Sequence, residues 1–288
     1  MRWLVVMALA SACGCASYEL IEDIAYDDRY GERTRLDLYL PDPPIADAPL
    51  VIMIHGGAWR LGSKELLTDA AARVAHTGYA VAAINYRLAP DNPYPLPFQD
   101  VFCALGFLES RADEYSIDLD RIAVMGYSAG GHLSLMMALA EPTGDFEPDC
   151  PTVPTVRPAA VLSQAGPSDL RLYGDADSIE DLIGGSQTEF PGRYDRASPV
   201  THASPDDPPT LLIYGSDDLL VPYEQAEAID TALSAVGVDV RVMKIRGAGH
   251  LVNPGGDLYE AGVPITSSQG PEAWAAQMDF LDDRLRAQ

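Results

Sequence analysis

The chain has 288 residues, of which 47% are hydrophobic and 22% are charged. This composition excludes a disordered chain, a collagen and a small disulfide-bonded scaffold, and the length suits one large domain. Acidic residues outnumber basic ones 43 to 19, and the resulting net charge of −24 disfavours nucleic acid and anionic membrane surfaces as partners. A neutral or cationic substrate fits such a field better than a polyanion.

The first 16 residues have the pattern of an export signal. Arg2 precedes an apolar run over residues 3–10, which is too short to cross a bilayer as a helix. The small residues before Cys13 resemble a bacterial lipoprotein signal, and Cys15 offers a second register for the lipid-bearing N-terminus. A secretory peptide and a frayed N-terminal strand are the alternatives. We predict an exported lipoprotein, or a periplasmic or secreted protein, whose only membrane contact is this anchor.

From residue 17 to 288 the chain alternates strands and helices, which predicts a single domain. Short apolar runs bounded by turn residues predict buried strands at residues 19–26, 34–40, 50–54, 79–84, 121–125, 159–164, 210–214 and 238–245. Helical patterns lie at residues 64–76, 98–111, 131–140, 223–236 and 271–286, with Ser63 as the N-cap of the first. The alternation predicts a doubly wound, mostly parallel α/β sheet with helices on both faces. Ligands bind such sheets outside the carboxyl ends of the strands.

Two long segments interrupt this alternation. Residues 141–158 contain five prolines, and residues 167–209 mix a short helical pattern with Gly and Pro. Structureless loops of this length are uncommon inside a compact domain and are often functional. We expect loops and a small helical insertion around the mouth of a site.

Two cysteines, Cys103 and Cys150, lie beyond the N-terminal segment. In an oxidising compartment they could pair. Cys103 lies in an apolar helical run, however, so a buried free thiol and a disulfide both remain open. Neither a CxxC motif nor a His/Cys cluster with zinc spacing follows residue 16, and we predict no metal site.

A Gly-x-Ser-x-Gly motif at residues 126–130 predicts a nucleophilic serine. The motif alone would arise by chance in roughly 0.1 copies per chain of this composition. Here it follows the predicted strand 121–125 and precedes a helical pattern, which is the strand–turn–helix setting of a nucleophile elbow. The glycines are needed because the turn is tight. The turn lifts the hydroxyl of Ser128 above the sheet, beside the N-terminus of the next helix.

Small residues directly after the third predicted strand indicate an oxyanion hole. Backbone N–H groups of such residues can approach a substrate oxygen and stabilise the oxyanion of a tetrahedral intermediate. We place this hole at the amides of Gly57, Ala58 and Ala129. His55 opens the motif, and its position favours a structural role as a loop anchor over a catalytic one.

An aspartate and a histidine in later loops complete a candidate triad. Asp218 follows the predicted strand 210–214 and precedes Val-Pro at the spacing seen in related hydrolases, and the neighbouring Asp217 is the alternative acid. His250 follows the last predicted strand, where a loop histidine can reach back to the serine as general base. The order Ser128, Asp218, His250 along the chain is that of the α/β-hydrolases.

The remaining histidines have weaker patterns. His76 ends a helix, where a cation is ordinary. His132 lies four residues after the candidate nucleophile, and we expect it to pack beneath the elbow and take no part in chemistry. His202 lies in a proline-rich loop and indicates nothing about function.

Six motifs together resemble a known group of enzymes. They lie at residues 55–59, 85–90, 118–122, 126–132, 198–200 and 206–210. They are similar to those of the α/β-hydrolase esterases related to hormone-sensitive lipase, in particular the branch named for the feruloyl-esterase domain of bifunctional xylan-degrading enzymes (BD-FAE). The resemblance covers residues 30 to 285. It implies a serine carboxylesterase of α/β-hydrolase fold that needs no cofactor, and mainly structural roles for Arg87 and Asp100.

The chain departs from this family pattern in three places. Ala58 stands where relatives of hormone-sensitive lipase have a third glycine, but alanine still supplies the backbone amide. No extended helical cap precedes His55, which implies a minimal cap and an open site suited to small or polymer-linked acyl groups. Residues 141–158 are longer than the family pattern, and we expect them to shape the acyl or leaving-group side.

The predicted reaction is hydrolysis of short-chain or carbohydrate-linked carboxylic esters through an acyl-enzyme intermediate. The expected partner is a small-molecule or polysaccharide-linked ester, with no cofactor, metal or nucleic acid. Arylformamidases share the His-Gly-Gly-aromatic motif and the triad, so amide or formyl hydrolysis is an alternative. A catalytically inactive, lipid-anchored binding protein is the alternative from another class. Such proteins usually lose one triad member, whereas this chain has a candidate for all three.

Overall fold

An eight-stranded sheet forms the centre of the computed structural model, which describes residues 17–174, 176–250, 258–260, 263–265 and 270–286. The strands β1 to β8 are, in chain order, Ser17–Ala25, Arg35–Asp42, Ala48–Ile54, Ala80–Ile84, Ile117–Tyr127, Ala160–Gln164, Thr210–Gly215 and Val240–Ile245. Within the described part of the chain, the helices α1 to α8 are Thr68–Ala75, Leu96–Ser110, Ala112–Tyr115, Ala129–Leu139, Asp177–Ile183, Pro191–Arg196, Glu224–Ala235 and Gly270–Leu285. A separate hairpin pairs β9, Leu258–Glu260, with β10, Val263–Ile265. The expected export segment, residues 1–16, lies outside the described residues.

The strands lie across the sheet in the order β1-β2-β4-β3-β5-β6-β7-β8. β2 runs antiparallel to β1 and to β4, and the other neighbouring pairs are parallel. The predicted, mostly parallel α/β sheet is therefore confirmed. The eight predicted strands correspond to β1 to β8, and the five predicted helices correspond to α1, α2, α4, α7 and α8.

The central strands are apolar because both of their faces are covered. Every residue of β3 is buried, and successive side chains point to opposite faces of the sheet. Leu50 and Ile52 join one apolar cluster, together with residues of α2, α4 and α7. Val51 and Met53 join a second cluster, together with residues of α1 and α8. None of the helices in the described ranges is long and apolar enough to cross a bilayer.

The first predicted helix begins differently from expectation. Residues 64–67 form a 3-10 turn before α1, and the side chain of Ser63 makes no capping hydrogen bond. The Ser63 hydroxyl instead bonds the carboxylate of Glu65, which helps to lower the pKa of Glu65 to about 2. The N–H of Lys64 is capped from another part of the chain, because Oδ1 of Asn85 accepts from it at 2.6 Å. Ser63 therefore occupies the predicted N-cap position with an extended backbone, but its side chain does not cap the turn.

A disulfide ties the proline-rich segment 141–158 to α2. Cys103 of α2 is bonded to Cys150, with their Cα atoms 6.0 Å apart, which decides the question left open by the sequence. Phe146 from the same segment is buried and packs on Phe98 and Tyr94, with ring centroids 5.2 and 5.7 Å away. These contacts hold the segment against α2.

The motif at residues 85–90 is fixed by a buried ion pair. The guanidinium of Arg87 donates to the carboxylate of Asp100 in α2 at 2.6 and 2.9 Å, and the backbone N–H of Arg87 donates to it at 2.7 Å. Arg87 also lies over the ring of Tyr30, 4.0 Å from its centroid. This geometry matches the structural role that the family resemblance implies for both residues.

Candidate active site

The candidate nucleophile occupies a strained turn between β5 and α4. Ser128 has φ +54° and ψ −125°, a conformation that L-residues rarely adopt and that costs of order 1–3 kcal/mol. The surrounding backbone holds it there. The N–H of Ser128 donates to the carbonyl of Gln164 at 2.8 Å, and its carbonyl accepts from the N–H of His132 at 3.0 Å.

Glycines permit this turn because backbone passes where a side chain would stand. A Cβ at Gly130 would lie 2.0 Å from the carbonyl oxygen of Ile54 in β3. A Cβ at Gly126 would lie 2.5 Å from the carbonyl carbon of Gly130. Such distances are far below van der Waals contact. Glycine is therefore required at these two positions, as the motif predicts, because a larger side chain would clash with backbone atoms.

Three side chains meet at the carboxyl ends of the strands. Nε2 of His250 lies 2.9 Å from Oγ of Ser128, and Nδ1 lies 2.8 Å from Oδ2 of Asp218. Because an ionised carboxylate can only accept, Nδ1 carries the proton of the neutral ring. Nε2 is then free to accept the hydroxyl proton of Ser128. This is the donor and acceptor order that a general base needs.

The loop after β7 brings Asp218, and not Asp217, to the imidazole. The carboxylate of Asp218 is fully buried, and its Oδ1 accepts from the N–H groups of Leu220 and Val221, both at 2.8 Å. Asp217 is exposed and accepts from the hydroxyl of Ser216 at 2.6 Å. The structure thus assembles Ser128, His250 and Asp218, while their catalytic roles remain a prediction.

The loop after β3 has an unusual backbone. Gly57, Ala58 and Trp59 have φ of +124°, +52° and +57°. A Cβ at Gly57 would lie 2.1 Å from the carbonyl oxygen of Leu61, so glycine is required there. Ala129 opens α4, and its N–H therefore has no acceptor within the helix. Ala58 lines the same cavity as Ser128, and the use of these amides as an oxyanion hole stays a prediction.

A cavity of about 340 Å³ lies beside Ser128 and His250. The helical insertion supplies one wall, which confirms the expectation that residues 167–209 surround the site mouth. The walls are mainly apolar, with Trp59, Pro167, Ile179, Leu219, Leu220 and Val221 among the lining residues. No residue of the segment 141–158 belongs to the described lining. The expected role of that segment in shaping the site is not seen, because the disulfide and Phe146 hold it against α2.

His55 anchors its own loop. Its ring is fully buried, stacks on Tyr86 at a centroid distance of 4.4 Å and bonds the carbonyl of Gly56 at 2.8 Å. Burial lowers the pKa of His55 to about 4, so the ring is neutral at physiological pH. These contacts agree with the predicted role as a loop anchor.

His132 has partners that its position in the sequence did not reveal. It is buried, as expected, but its side chain bonds Trp59 of the loop after β3. The sequence did not predict this hydrogen bond because Trp59 lies 73 residues before His132 in the chain. Across the ranges that the structure describes, no group of three or more His, Cys, Asp or Glu side chains could hold a metal ion.

Comparison with known proteins identifies a family and several relatives. A family model described as BD-FAE matches residues 36–233. Probable carboxylic ester hydrolase LipM of Mycobacterium tuberculosis is 35% identical over 224 residues, which are 74% of this chain and 52% of that protein. Esterase LipC of the same organism is 31% identical over 260 residues, 86% of this chain and 62% of that protein. The chain thus spans about half to three-fifths of the length of these two relatives.

A further relative and two solved structures also match the chain. An esterase of Gibberella moniliformis is 30% identical over 79% of this chain and 74% of its own length. Among solved structures, a truncated carbohydrate esterase from gut microbiota has a TM-score of 0.79 and 25% identity, covering 92% of this chain and 95% of that one. A bifunctional GH43-CE protein of Bacteroides eggerthii has a TM-score of 0.80 and 26% identity, covering 92% of this chain and 38% of that one. The α/β-hydrolase fold expected from the sequence is confirmed.

The two neighbouring aspartates allow a matched test of the site. Asp218→Asn is expected to lower kcat for a nitrophenyl ester by about 10,000-fold, because an asparagine amide favours the wrong tautomer of His250. Asp217→Asn is expected to stay within a few-fold of the parent, since its carboxylate does not touch the imidazole. Steady-state kinetics of the two purified variants decide between them. Equal losses, or a larger loss in Asp217→Asn, would contradict the assignment.

Proposed function

The chain belongs to the BD-FAE family of α/β-hydrolases, and we propose that it is a serine carboxylesterase acting through an acyl-enzyme on Ser128. The observation that carries this proposal is the hydrogen-bonded series from Ser128 through His250 to Asp218. Its relatives include proteins named as esterases and carboxylic ester hydrolases. Their names favour ester cleavage over formamide cleavage.

In the first half-reaction, Nε2 of His250 takes the hydroxyl proton of Ser128 while Oγ attacks the ester carbonyl carbon. The carbonyl oxygen becomes an oxyanion, and the amides of Ala58, Ala129 and Gly57 donate to it. The buried carboxylate of Asp218 stabilises the imidazolium that forms. When the intermediate collapses, Nε2 gives its proton to the leaving alcohol oxygen, and the acyl group stays on Oγ.

The second half-reaction repeats these steps with water. Nε2 of His250 takes a proton from water, whose oxygen attacks the acyl carbonyl. The second tetrahedral intermediate collapses, releases the carboxylic acid and returns the proton to Ser128. The strained turn holds Oγ at the open edge of the sheet throughout, so that little reorganisation is needed during the reaction.

We propose short-chain or carbohydrate-linked esters as the substrates. A cavity of about 340 Å³ is at the lower end of the range for small-molecule sites, which favours a small acyl group. Its apolar walls suit the acyl chain. One structural neighbour is named as a carbohydrate esterase, and this supports sugar-linked esters as the class to examine.

Hydrolysis of p-nitrophenyl acetate, butyrate and octanoate by the parent and by Ser128→Ala tests the proposed reaction. We expect turnover to fall with chain length, and Ser128→Ala to lower kcat by about a millionfold with an unchanged melting temperature. Acetylated and feruloylated sugars are then compared with an aryl formamide. Failure of the parent to cleave any ester, or equal rates in parent and variant, would overturn the proposal. Cleavage of the formamide alone would favour the arylformamidase alternative.

We also propose that the protein is exported, as a lipoprotein or as a periplasmic or secreted enzyme. The pattern of residues 1–16 supports export. The bond between Cys103 and Cys150 gives independent support, because disulfides persist mainly in oxidising compartments. A lipid on Cys13 or Cys15 would place the enzyme at a membrane surface without a spanning helix.

Labelled palmitate in a bacterial expression host tests the export proposal. We expect the label to enter the full chain. One of the two single variants, Cys13→Ser or Cys15→Ser, is expected to abolish labelling, and the other is expected to keep it. Fractionation accompanies the labelling. An unlabelled protein in the periplasm or medium would mean export without an anchor. An unlabelled protein found only in the cytoplasm would contradict export.

A further inference from the structure

His132 joins three parts of the molecule through one buried ring. It lies in the first turn of α4, and its backbone N–H donates to the carbonyl of Ser128 at 3.0 Å. Its Nδ1 accepts from the indole N–H of Trp59 at 3.1 Å, and its Nε2 bonds the carbonyl of Ala197 at 2.7 Å. An indole N–H can only donate and a carbonyl can only accept. The ring is therefore fixed as the neutral tautomer with its proton on Nε2.

Trp59 belongs to the part of the loop with the left-handed backbone. Both Ala58 and Trp59 have positive φ, and such conformations persist only where the surroundings hold them. The Trp59 side chain is 3% exposed, and its ring meets that of His132 edge to face at a centroid distance of 5.2 Å. Its carbonyl accepts from the N–H of Ala89 at 2.9 Å. The indole and the carbonyl together hold Trp59, the residue that directly follows Ala58.

We propose that His132 is a positioning residue that holds the loop carrying Ala58 in register with the nucleophile elbow, through its hydrogen bond to Trp59. His132 and Ala129 lie on the same rigid helix, three residues apart. A bond from this helix to Trp59 therefore fixes where the Ala58 amide stands relative to the Ala129 amide. The inference rests on the proposed function, since it matters only if these amides receive an oxyanion.

A packing role alone does not account for the imidazole. Phe98 packs on the ring of His132 at 5.6 Å, so an apolar ring would suit that side of the site. Burying a polar ring costs free energy unless its polar atoms are bonded, and both nitrogens are bonded here to different segments. Burial also lowers the pKa of His132 to about 4, which keeps the Nδ1 lone pair available to Trp59 at neutral pH.

The bond to Ala197 extends the connection to the substrate cavity. Ala197 directly follows α6 in the helical insertion, which also contributes Ile179 to the cavity wall beside Ser128. His132 thus bonds the nucleophile elbow, the loop after β3 and the helical insertion. The position of the acyl group and the position of the oxyanion donors become coupled through His132.

Kinetics of His132→Phe, Trp59→Phe and the double variant test the proposal. His132→Phe keeps a ring but removes the acceptor, and Trp59→Phe removes the donor. We expect each to lower kcat for p-nitrophenyl acetate by about 10- to 100-fold with little change in KM, because the loss is confined to the transition state. The double variant is expected to lose no more than the worse single variant. Affinity for a trifluoromethyl ketone, which forms a tetrahedral adduct, is expected to weaken in proportion to kcat.

Two further variants separate positioning from stability. Ser134→Ala removes another buried hydrogen bond of α4, from the Ser134 hydroxyl to the carbonyl of Gly130 at 2.7 Å. It is expected to lower the melting temperature while kcat and ketone affinity stay near the parent values. His132→Asn restores an acceptor for the indole and is expected to recover part of kcat. If His132→Phe does not fold, the kinetics of His132→Asn are compared with those of the parent instead.

A signal from the indole itself distinguishes failure of this inference from failure of the proposed function. The chain has three tryptophans, and the indole N–H resonance of Trp59 is the one absent from Trp59→Phe. In His132→Phe this resonance is expected to shift upfield and exchange faster with solvent, whether or not the parent turns over esters. A folded His132→Phe with unchanged kcat and ketone affinity, additive losses in the double variant, or an unchanged indole resonance would each overturn the proposal.

Discussion

The site depends on how closely the start of α4 approaches the ends of β3 and β5. Gly126 and Gly130 allow backbone to pass backbone at distances where a Cβ would overlap carbonyl atoms. Because the helix lies so close, the chain must turn sharply at Ser128, which takes a backbone conformation that an isolated serine would avoid. Apolar packing of the sheet and helices around Ser128 offsets the free-energy cost of this strained backbone. Ala129, whose N–H has no acceptor within the helix, directly follows the nucleophile.

The remaining groups arrive from loops that share one edge of the sheet. β3, β5 and β7 are parallel neighbours or near neighbours, so the loops that follow them end at the same edge. The loop after β3 supplies Ala58, and the loop after β7 supplies Asp218. The loop after β8 supplies His250 at the hydrogen-bonding distance from both partners. Strand order therefore brings residues far apart in the chain together, and His132 of α4 bonds the loop after β3 through Trp59.

Much of this could be read from the sequence because the central strands are buried on both faces. Burial on both faces produces continuous apolar runs, and these located β3 to β7 and hence the loops at their ends. The spacing of Asp218 to Val-Pro favoured it over Asp217, but only the structure shows which carboxylate reaches His250, since adjacent residues in one loop differ in the direction of their side chains. The pairing of Cys103 with Cys150 needed the position of the proline-rich segment. The partner of His132 lies 73 residues away, and no local pattern signals such a contact.

The proposed ester hydrolysis depends on Ser128 acting as the nucleophile. Covalent trapping with a p-nitrophenyl alkylphosphonate, followed by digestion and mass spectrometry of the labelled peptide, tests this role most directly. We expect one phosphonyl group per chain on Ser128, release of one equivalent of nitrophenol and complete loss of ester hydrolysis, with no label on Ser128→Ala. An unlabelled parent, or inactivation accompanied by a label on a different residue, would contradict it.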